Sequence, residues 1–521
     1  MPKMRKTGYP GFSRTPERWA ALCAAVLLIA FWGGCGRSRP PDLTIIHTND
    51  LRGYIMPGRV PGWRGRMGGY AVFSAWLNEV RRENQRRGVP TLLLDAGNIF
   101  SGTPEGRFRQ GEAVVELMNI VGYDALGVGV GEFEFGYLNL LRLAEKARFP
   151  FLSANVAGGW GVLKNPGFAQ SCLVKEINGF KVGLFGVVSD EVAKSALPSD
   201  MDRVVFRDPV LAARECTRSL RAQGCGLVVA LSHLRLENNI SLGRKIKGLD
   251  IIIGGMGERL LTSPARVGGG GALVCQLSGL GRYAGRLDLW LDKRTGVIRS
   301  HRYRVFTNRE WSCPPDLKVS SRMTEIREEM GKDWERVIGM VLQDMALSSG
   351  RESALGNLVA DSLRVAAQTE VAFQDIAGIK APIFKGNITS RDVFQVLPDN
   401  RMIVVMELNG SRIKELLEEV LSSDKPVLQV SGLVVRYDPR RPPGRRVVSL
   451  KIGGAEAEDD RFYTVAIPDV LAMDENRFQV LREGRNWRLT GIVARDALVG
   501  YISDNTPIFF GSFQPGRLIR V

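Results

Sequence analysis

The residues best suited to chemistry follow a short apolar run near the start of the chain. Residues 43–46 are apolar, and they lead into the polar cluster His47-Thr48-Asn49-Asp50 and then Gly53. We predict a short buried strand over residues 43–46. A strand that ends in carboxylate and imidazole groups is a common source of metal ligands at the edge of an α/β sheet. The stretch therefore predicts a metal site whose other ligands come from later in the chain.

The elements that must position these groups alternate between strands and helices over residues 43–306. Several apolar runs end in glycine and polar residues, as in Asp95-Ala96-Gly97-Asn98, and residues 112–121 have a helical period. This pattern predicts an α/β sandwich with its site at the strand ends. The predicted strands are residues 91–94, 125–130, 151–155, 182–188, 227–232, which lead to His233, and 250–253, which lead to Met256 and Glu258.

The second half of the chain has a different pattern. Residues 311–336 are charged and helix-prone, which indicates a connector. From about Ile338 we predict a second α/β domain. Its predicted helices are residues 353–367, 411–421 and a short one within 388–396, and its predicted strands are residues 402–408, 427–435, 447–452 and 463–467.

The N-terminal segment is typical of a secretory leader. Basic residues precede an apolar run over residues 19–32, which is short for a membrane span. The run ends in Trp32-Gly33-Gly34-Cys35, and small residues before a cysteine are typical of bacterial lipoproteins, which predicts lipidation of Cys35. Cleavage without a lipid and an uncleaved anchor remain open. We expect a bacterial envelope protein, facing the periplasm or the exterior, with Cys35 as its membrane contact.

Charge and cysteine content narrow the function further. The formal net charge is +16 over 521 residues, but no basic block is interleaved with aromatics, so we expect no nucleic-acid partner. Beyond the leader the chain has five cysteines and no CxxC motif, which argues against a zinc cluster. A Cys216–Cys225 bridge and buried apolar thiols both remain open.

The order of the motifs resembles the 5'-nucleotidase family, which includes periplasmic UDP-sugar hydrolases. The resemblance runs from Leu43 nearly to the end of the chain and rests on HTNDLRG, LLLDAGNIFSG, GVGEFEFG, PFLSANV, GLFGVVSD, LSHL, DIIIGGMGE, ALGNLVADSLR, GNITSRDVFQVLP and LQVSGL. It implies a four-layer metallophosphoesterase sandwich followed by an α/β 5'-nucleotidase C-terminal domain. The implied segments are a leader at 1–35, the phosphoesterase-like domain at 42–308, a connector at 309–337 and the C-terminal domain at 338–521.

The resemblance also implies a pair of divalent metals that activates water and clamps a phosphate. Against the family pattern, only Asp50 and His233 keep the expected ligand types. The family's catalytic histidine matches Gly131, so we assign no catalytic residue. The other metal-site positions are replaced as follows: the bridging aspartate by Asn98, an asparagine by Val130, and three histidines by Arg52, Met256 and Glu258.

Arg52 is the most informative replacement because a guanidinium stays charged and cannot ligate a metal. We predict that Arg52 forms a salt bridge with Glu258 or Asp50 that fills the vacated site, although both side chains could instead face solvent. A single divalent metal held by Asp50, Asn98, His233 and Glu258 is the alternative to no metal cofactor.

The C-terminal domain departs from the family in its substrate segment. The resemblance implies an Asn-x-Gly-Gly-Ile-Arg segment whose arginine binds phosphate, and residues 375–380 match it with Asp375 and Lys380 at its ends. Lys380 keeps a positive charge without the bidentate fork, whereas Asp375 would repel an anion. Of the two implied base-stacking aromatics, one position holds Val427 and the other matches Phe478. We predict Lys380 and Phe478 as substrate-binding residues, with Phe478 as core packing left open.

Two functions of different classes follow. One is a catalytically impaired family member in the envelope that binds a nucleotide-like or other phosphate ligand, or serves as a scaffold. The other is an active metal-dependent phosphoesterase, acting on nucleotides or other phosphate esters through a rearranged site. A sugar- or lipid-phosphate binder that uses Arg52 as an anion site is a further interpretation.

Overall fold

The computed structural model describes residues 39–158, 166–190, 203–257, 259–268, 271–292, 294–347, 350–422, 427–473 and 477–521. The chain divides into Met1–Pro41 and Asp42–Val521, and the fold described below is that of the second unit. The predicted leader at 1–35, the predicted lipidation site Cys35 and the predicted site residue Glu258 lie outside the described residues.

Two six-stranded sheets form the centre of the N-terminal half. In spatial order, the first sheet consists of Ile298–Thr307, Tyr283–Leu291, Leu43–Thr48, Thr91–Asp95, Ala125–Gly127 and Phe151–Leu152. In spatial order, the second sheet consists of Ala265–Arg266, Leu273–Gln276, Ile251–Gly254, Leu227–His233, Phe180–Val188 and Cys172–Ile177.

Side-chain alternation along the strands explains why the sheets stack. Leu43 and Ile45 lie in the apolar cluster between the two sheets, whereas Ile46 belongs to the cluster under the helices of the first sheet. In the second sheet, Val229 packs in the cluster between the sheets, whereas its neighbour Val228 packs under the outer helices. Because central strands such as Leu227–His233 bury both faces, they are largely apolar, and the domain has four layers in the order helix, sheet, sheet, helix.

Helices cover the outer face of each sheet. Those on the first sheet are Tyr70–Arg86, Pro104–Arg107, Glu112–Val121, Gly136–Lys146 and, from the connector, Leu317–Met330. Those on the second sheet are Pro209–Ala222 and Leu236–Lys245. The Asp208 side chain caps the first of these by accepting the Leu211 N–H at 2.7 Å, with Pro209 next to the cap.

The C-terminal half is built on a five-stranded sheet and a four-stranded sheet. The five strands, in spatial order, are Leu428–Ser431, Val371–Asp375, Phe462–Pro468, Met402–Asn409 and Arg485–Val493. The four are Ala455–Glu456, Val447–Ile452, Leu433–Tyr437 and Leu518–Arg520. The strands Val337–Val341 and Gly386–Thr389 pair separately, and the helices are Ala354–Ala367, Ser390–Val396, Gly410–Val420, Asp469–Met473 and Ala494–Asp504.

Most predicted elements are present, and the differences have local causes. The strand predicted over residues 125–130 ends at Gly127, because Val130 has helical backbone angles and begins a turn. The strand predicted over residues 427–435 is two strands. Gly432 between them has a φ of 78°, and a Cβ there would lie 1.9 Å from the Glu370 carbonyl oxygen. Only glycine permits this turn.

Charged contacts join the two halves. Arg391, at the start of a C-terminal helix, forms ion pairs with the buried Glu105 of the N-terminal half and, at 2.9 Å, with Glu335 of the connector. Arg59 donates a hydrogen bond of 3.2 Å to the Lys385 carbonyl oxygen. A buried carboxylate such as Glu105 requires a partner, so Arg391 fixes how the halves contact each other.

Candidate functional site

Polar side chains from three strand ends meet in the N-terminal half. Asp50 follows Leu43–Thr48, Asn98 follows Thr91–Asp95, and His233 ends Leu227–His233. The first two strands are parallel neighbours, so their carboxyl ends lie at the same edge. Asp50 Oδ1 lies 3.2 Å from His233 Nε2 and accepts a 2.9 Å hydrogen bond from Asn98 Nδ2. Three of the four predicted metal-site residues are therefore in contact, and the fourth, Glu258, is outside the described residues.

Both oxygens of the Asp50 carboxylate contact protein groups. Its other oxygen, Oδ2, accepts a 2.9 Å hydrogen bond from Asn49 Nδ2, and both Asp50 and His233 are buried. Burial favours a higher pKa for Asp50. The hydrogen bond and charge of His233, the charge of Arg52 and the hydrogen bond from Asn98 outweigh burial and lower that pKa to about 2. The carboxylate is therefore ionised at neutral pH, and protein donors compensate its charge.

Close packing of glycines fills the space around this cluster. A Cβ on Gly131 would lie 2.1 Å from Asn98 Oδ1, and one on Gly255 would lie 2.7 Å from His233 Cδ2. Heavy atoms that are not bonded do not approach this closely. The Asn98 amide thus occupies the place where any side chain at residue 131, including the catalytic histidine implied there, would begin.

A buried glutamate supports the loops that carry the cluster. Glu132 accepts the backbone N–H groups of Asn98 at 2.8 Å, Ile99 at 2.6 Å and Gly129 at 2.6 Å. Burial raises the pKa of Glu132 although these hydrogen bonds oppose the shift. The loops are also strained, because the non-glycine residues Asp50, Asn98 and Met256 have φ values of 49°, 64° and 57°. Such left-handed residues persist where the surrounding structure fixes them, often at functional sites.

Arg52 lies beside the cluster of Asp50, Asn98 and His233, but its side chain does not pair with Asp50. Its backbone N–H donates to the Asn98 carbonyl oxygen at 2.9 Å, and its φ of 48° is also left-handed. Its positive charge helps lower the pKa of Asp50. Within the described residues, however, the Arg52 guanidinium forms neither an ion pair nor a hydrogen bond with Asp50. The predicted Arg52–Glu258 salt bridge stays a prediction because Glu258 is outside them.

The described donors do not fit a two-metal centre. In the part of the chain that the structure describes, no three His, Cys, Asp or Glu side chains converge in a group that could hold a metal. Asp50 and His233 supply two ligand groups, whereas Asn98 turns its amide nitrogen, which cannot ligate a metal, towards Asp50 and its Oδ1 towards Gly131. Two dications a few ångströms apart require several oxygen or imidazole ligands with a bridging oxygen. Asp50 and His233 alone are therefore too few ligands for such a pair.

The C-terminal half has a pocket around the predicted residue Lys380. Its volume is about 120 Å³, and its polar lining includes Gln374, Asp375, Lys380, Asp399 and Arg401. Lys380 Nζ donates a 2.5 Å hydrogen bond to the Ala377 carbonyl oxygen. Burial raises the pKa of Asp375, and the charges of Lys380 and Arg401 oppose this. Gln374 lines this pocket, and its buried Oε1 has no hydrogen-bond partner among the described residues.

Phe478 lies elsewhere. Its side chain is 2% exposed and belongs to the core cluster that includes Leu416 and Leu481. Among the described residues, neither Phe478 nor Val427 lines the Lys380 pocket. This placement agrees with the alternative in which Phe478 is core packing, and it does not join Phe478 to Lys380 in one slot.

Sequence reasoning missed several residues that the structure places at these sites. Asn49 was visible as the neighbour of Asp50, and Glu132 was visible as a retained position in its motif. Asp399 and Arg401 directly follow the motif that ends at Pro398. For Gln374, the sequence contains no sign that its amide oxygen would be buried without a partner.

The fold defines a two-domain phosphoesterase architecture, with an N-terminal phosphoesterase domain and a C-terminal domain. Residues 337–483 match the family model described as "5'-nucleotidase, C-terminal domain". No helix within the described ranges is both long enough and apolar enough to span a bilayer.

Known proteins resemble this chain over nearly its full length. The chain is 27% identical to the 5'-nucleotidase of Bos taurus, over 95% of this chain and 92% of that protein. It is also 27% identical to the snake venom 5'-nucleotidase of Crotalus adamanteus, over 85% and 82%. The crystal structure of a 5'-nucleotidase precursor from Thermus thermophilus matches with a TM-score of 0.79 and 27% identity, over 92% of this chain and 99% of that one. The chain belongs to the 5'-nucleotidase family.

Proposed function

We propose that this chain is a catalytically impaired member of the 5'-nucleotidase family that binds a nucleotide-like or other phosphate-bearing ligand in the cell envelope, anchored by a lipid on Cys35. The observation that carries the proposal is the closed hydrogen-bonding of Asp50. Both of its oxygens are engaged, by His233, Asn98 and Asn49. A carboxylate has about four lone-pair sites, and these three side chains contact it where metal ions would otherwise bind.

Loss of hydrolysis is supported by the packing as well as by the residue types. The catalytic histidine implied by the family matches Gly131, and Asn98 Oδ1 fills the space beside that residue. A single substitution at residue 131 would therefore displace Asn98 before it could place an imidazole near a substrate. The impairment involves several positions that now support one another.

Ligand binding is supported by the charges that remain. Lys380 supplies a cation to the C-terminal pocket, and Gln374 Oε1 supplies a buried acceptor that none of the described residues satisfies. Arg52 adds a permanent positive charge beside the N-terminal cluster, where a guanidinium can pair with phosphate oxygens. In a variant of this proposal, the protein is a scaffold that binds no small ligand. The charges of Lys380 and Arg52 then have no role in binding.

An active phosphoesterase with a rearranged site is the second candidate. The observation that favours it is the Asp50–His233 contact, in which the carboxylate is ionised at neutral pH. With Asn98 and Glu258, these residues would hold one metal. The two candidates differ in whether a substrate is turned over.

The test is an assay of the purified chain with AMP, a UDP-sugar and a chromogenic phosphodiester, with Mn²⁺, Zn²⁺ or Co²⁺ added. We expect no metal-dependent turnover and a rise in melting temperature with at least one nucleotide. Turnover that disappears in Asp50→Asn, purified in the same way, would contradict the proposal, because contaminating phosphatases would survive that substitution. A melting temperature that no nucleotide or phosphate ester raises would favour the scaffold over the ligand-binding variant.

A further inference from the structure

Two cysteines far apart in the sequence meet at the edge of the second sheet. Cys172 begins the edge strand Cys172–Ile177, where it pairs in antiparallel register with Phe185. Cys216 lies on the helix Pro209–Ala222, which packs against this edge strand.

Strand alternation points Cys172 at the helix. Leu173 and Ile177 pack in the cluster between the sheets, whereas Cys172 and Val174 pack in the outer cluster that contains Cys216. Cys216 Sγ lies 3.6 Å from the carbonyl oxygen of Ser171, the residue before Cys172. Both cysteines pack in this one cluster, and each thiol shifts the pKa of the other. The register and the helix position therefore bring both sulfur atoms to one place.

We infer that Cys172 and Cys216 are the partners of an intramolecular disulfide that forms when the protein meets a small disulfide donor such as oxidised glutathione. The bond would tie the edge strand to its covering helix, which goes beyond the proposed function. All five cysteines of the described chain are free thiols in this structure. Disulfides persist in oxidising compartments, and export is what the N-terminal segment predicts.

The chemistry balances as two thiol–disulfide exchanges. The Cys172 thiolate attacks one sulfur of the donor, and the donor's other half leaves as a thiolate, which gives a mixed disulfide. The Cys216 thiolate then attacks Cys172 Sγ and releases the second half. Two protein thiols are oxidised, one donor disulfide is reduced to two thiols, and the two protein protons go to the leaving thiolates.

Cys172 is the better attacking group. It is half-buried, whereas Cys216 is buried. The hydrogen bond from Cys216 lowers the pKa of the Cys172 thiol to about 7, although burial opposes this, and the same contact raises the pKa of Cys216. A thiol whose pKa is near the ambient pH reacts fastest in exchange.

Two alternatives to the Cys172–Cys216 disulfide have less support. A metal site would need more ligands, and among the described side chains no group of three His, Cys, Asp or Glu residues forms one. A Cys216–Cys225 bridge would join cysteines nine positions apart, as 225 − 216 gives, but Cys216 Sγ lies against Ser171, the residue next to Cys172.

Trypsin separates the candidates cleanly. Cys172 falls in the peptide 165–175, Cys216 in 215–218 and Cys225 in 222–235, because Arg218 and Arg221 lie between the last two cysteines. The purified chain is incubated with oxidised glutathione, its remaining thiols are alkylated under denaturing conditions, and the peptides are analysed by mass spectrometry. We expect one linked pair, 165–175 with 215–218, that disappears after reduction.

Matched variants test the assignment. Cys172→Ser and Cys216→Ser should each abolish the linked pair, whereas Cys225→Ser should retain it. Oxidation should raise the melting temperature of the parent chain by several degrees, since a crosslink restricts the unfolded chain, and it should leave that of Cys172→Ser unchanged. A linked pair of 215–218 with 222–235, or complete alkylation of all five cysteines after the glutathione treatment, would overturn the inference.

Discussion

The two candidate sites of this molecule use their polar groups in opposite ways. At the N-terminal cluster, Asp50 is hydrogen-bonded through both oxygens, and Asn98 fills the space beside Gly131. At the C-terminal pocket, the buried acceptor Gln374 Oε1 has no partner within the described residues, and Lys380 lies at the pocket's lining. The first site satisfies its own charges, whereas the second leaves groups for a ligand.

This difference is the one that the proposed function requires. At the N-terminal cluster, the Asn98 amide donates to Asp50 and packs beside Gly131. The backbone of this cluster is held in place by the anchor Glu132, and Asp50, Asn98 and Met256 are left-handed. Left-handed residues of this kind persist where the surrounding structure fixes them.

The largest expected effect comes from removing that anchor. Glu132→Ala leaves three buried N–H groups without their acceptor, so we expect the free energy of unfolding to fall by about 5 kcal/mol. Urea denaturation followed by circular dichroism measures this. The matched control is Glu134→Ala, which removes a partly exposed ion pair with Arg107 and should cost less than about 1 kcal/mol. An equal loss of unfolding free energy in the two variants would show that Glu132 stabilises the fold no more than the partly exposed Glu134 does.

A second prediction concerns Asp95, which lies beneath the N-terminal cluster. It accepts hydrogen bonds from Thr48 Oγ1 at 2.5 Å and from the Gly97 N–H at 2.7 Å, yet burial raises its pKa from 3.8 to about 7. The folded protein thus holds this proton more tightly than the unfolded chain does. Its contribution to stability is complete below about pH 4 and is lost as the pH rises towards 7.

Replacing this carboxyl group should remove that pH dependence. Relative to the parent chain, Asp95→Asn should gain up to about 4 kcal/mol of unfolding free energy between pH 4 and pH 8, because the amide carries no charge to bury. Denaturation curves at several pH values test this. A difference between the two proteins that does not change with pH would show that Asp95 titrates normally.

The smallest effect is expected at the C-terminal pocket. Lys380→Ala should weaken the binding of a nucleoside monophosphate about tenfold, since one hydrogen bond to a charged group contributes about 1.5 kcal/mol. The control is Lys385→Ala, an exposed lysine that does not line the pocket within the described residues. Calorimetric titration of both variants decides the matter, and equal affinities would remove Lys380 from the proposed ligand site.

Much of the fold could be predicted because apolar periodicity reports burial directly. The helix Glu112–Val121 and the strand Val447–Ile452 have the predicted bounds. The family and the α/β architecture were also predicted from the motifs and are confirmed. Predictions failed where a backbone turn was decided by distant atoms, as at Gly432 against the Glu370 carbonyl oxygen.

The sites were predictable in position but not in their contacts. Strand-end patterns located Asp50, Asn98 and His233, because parallel strands bring their ends to one edge. That Asn98 would donate to Asp50 depends on packing against Gly131, which no local pattern encodes. Likewise, the sequence left a Cys216–Cys225 bridge and buried apolar thiols both open, and it did not indicate that Cys172 packs in the cluster of Cys216.

The most direct test of the account is the metal content of the unit Asp42–Val521, purified without chelators and then dialysed against Mn²⁺ or Zn²⁺. Elemental analysis should find less than one equivalent of metal per chain, and the same amount in Asp50→Asn. Two equivalents in the parent chain, reduced in Asp50→Asn, would show that the cluster opens to hold a metal pair and would contradict the account.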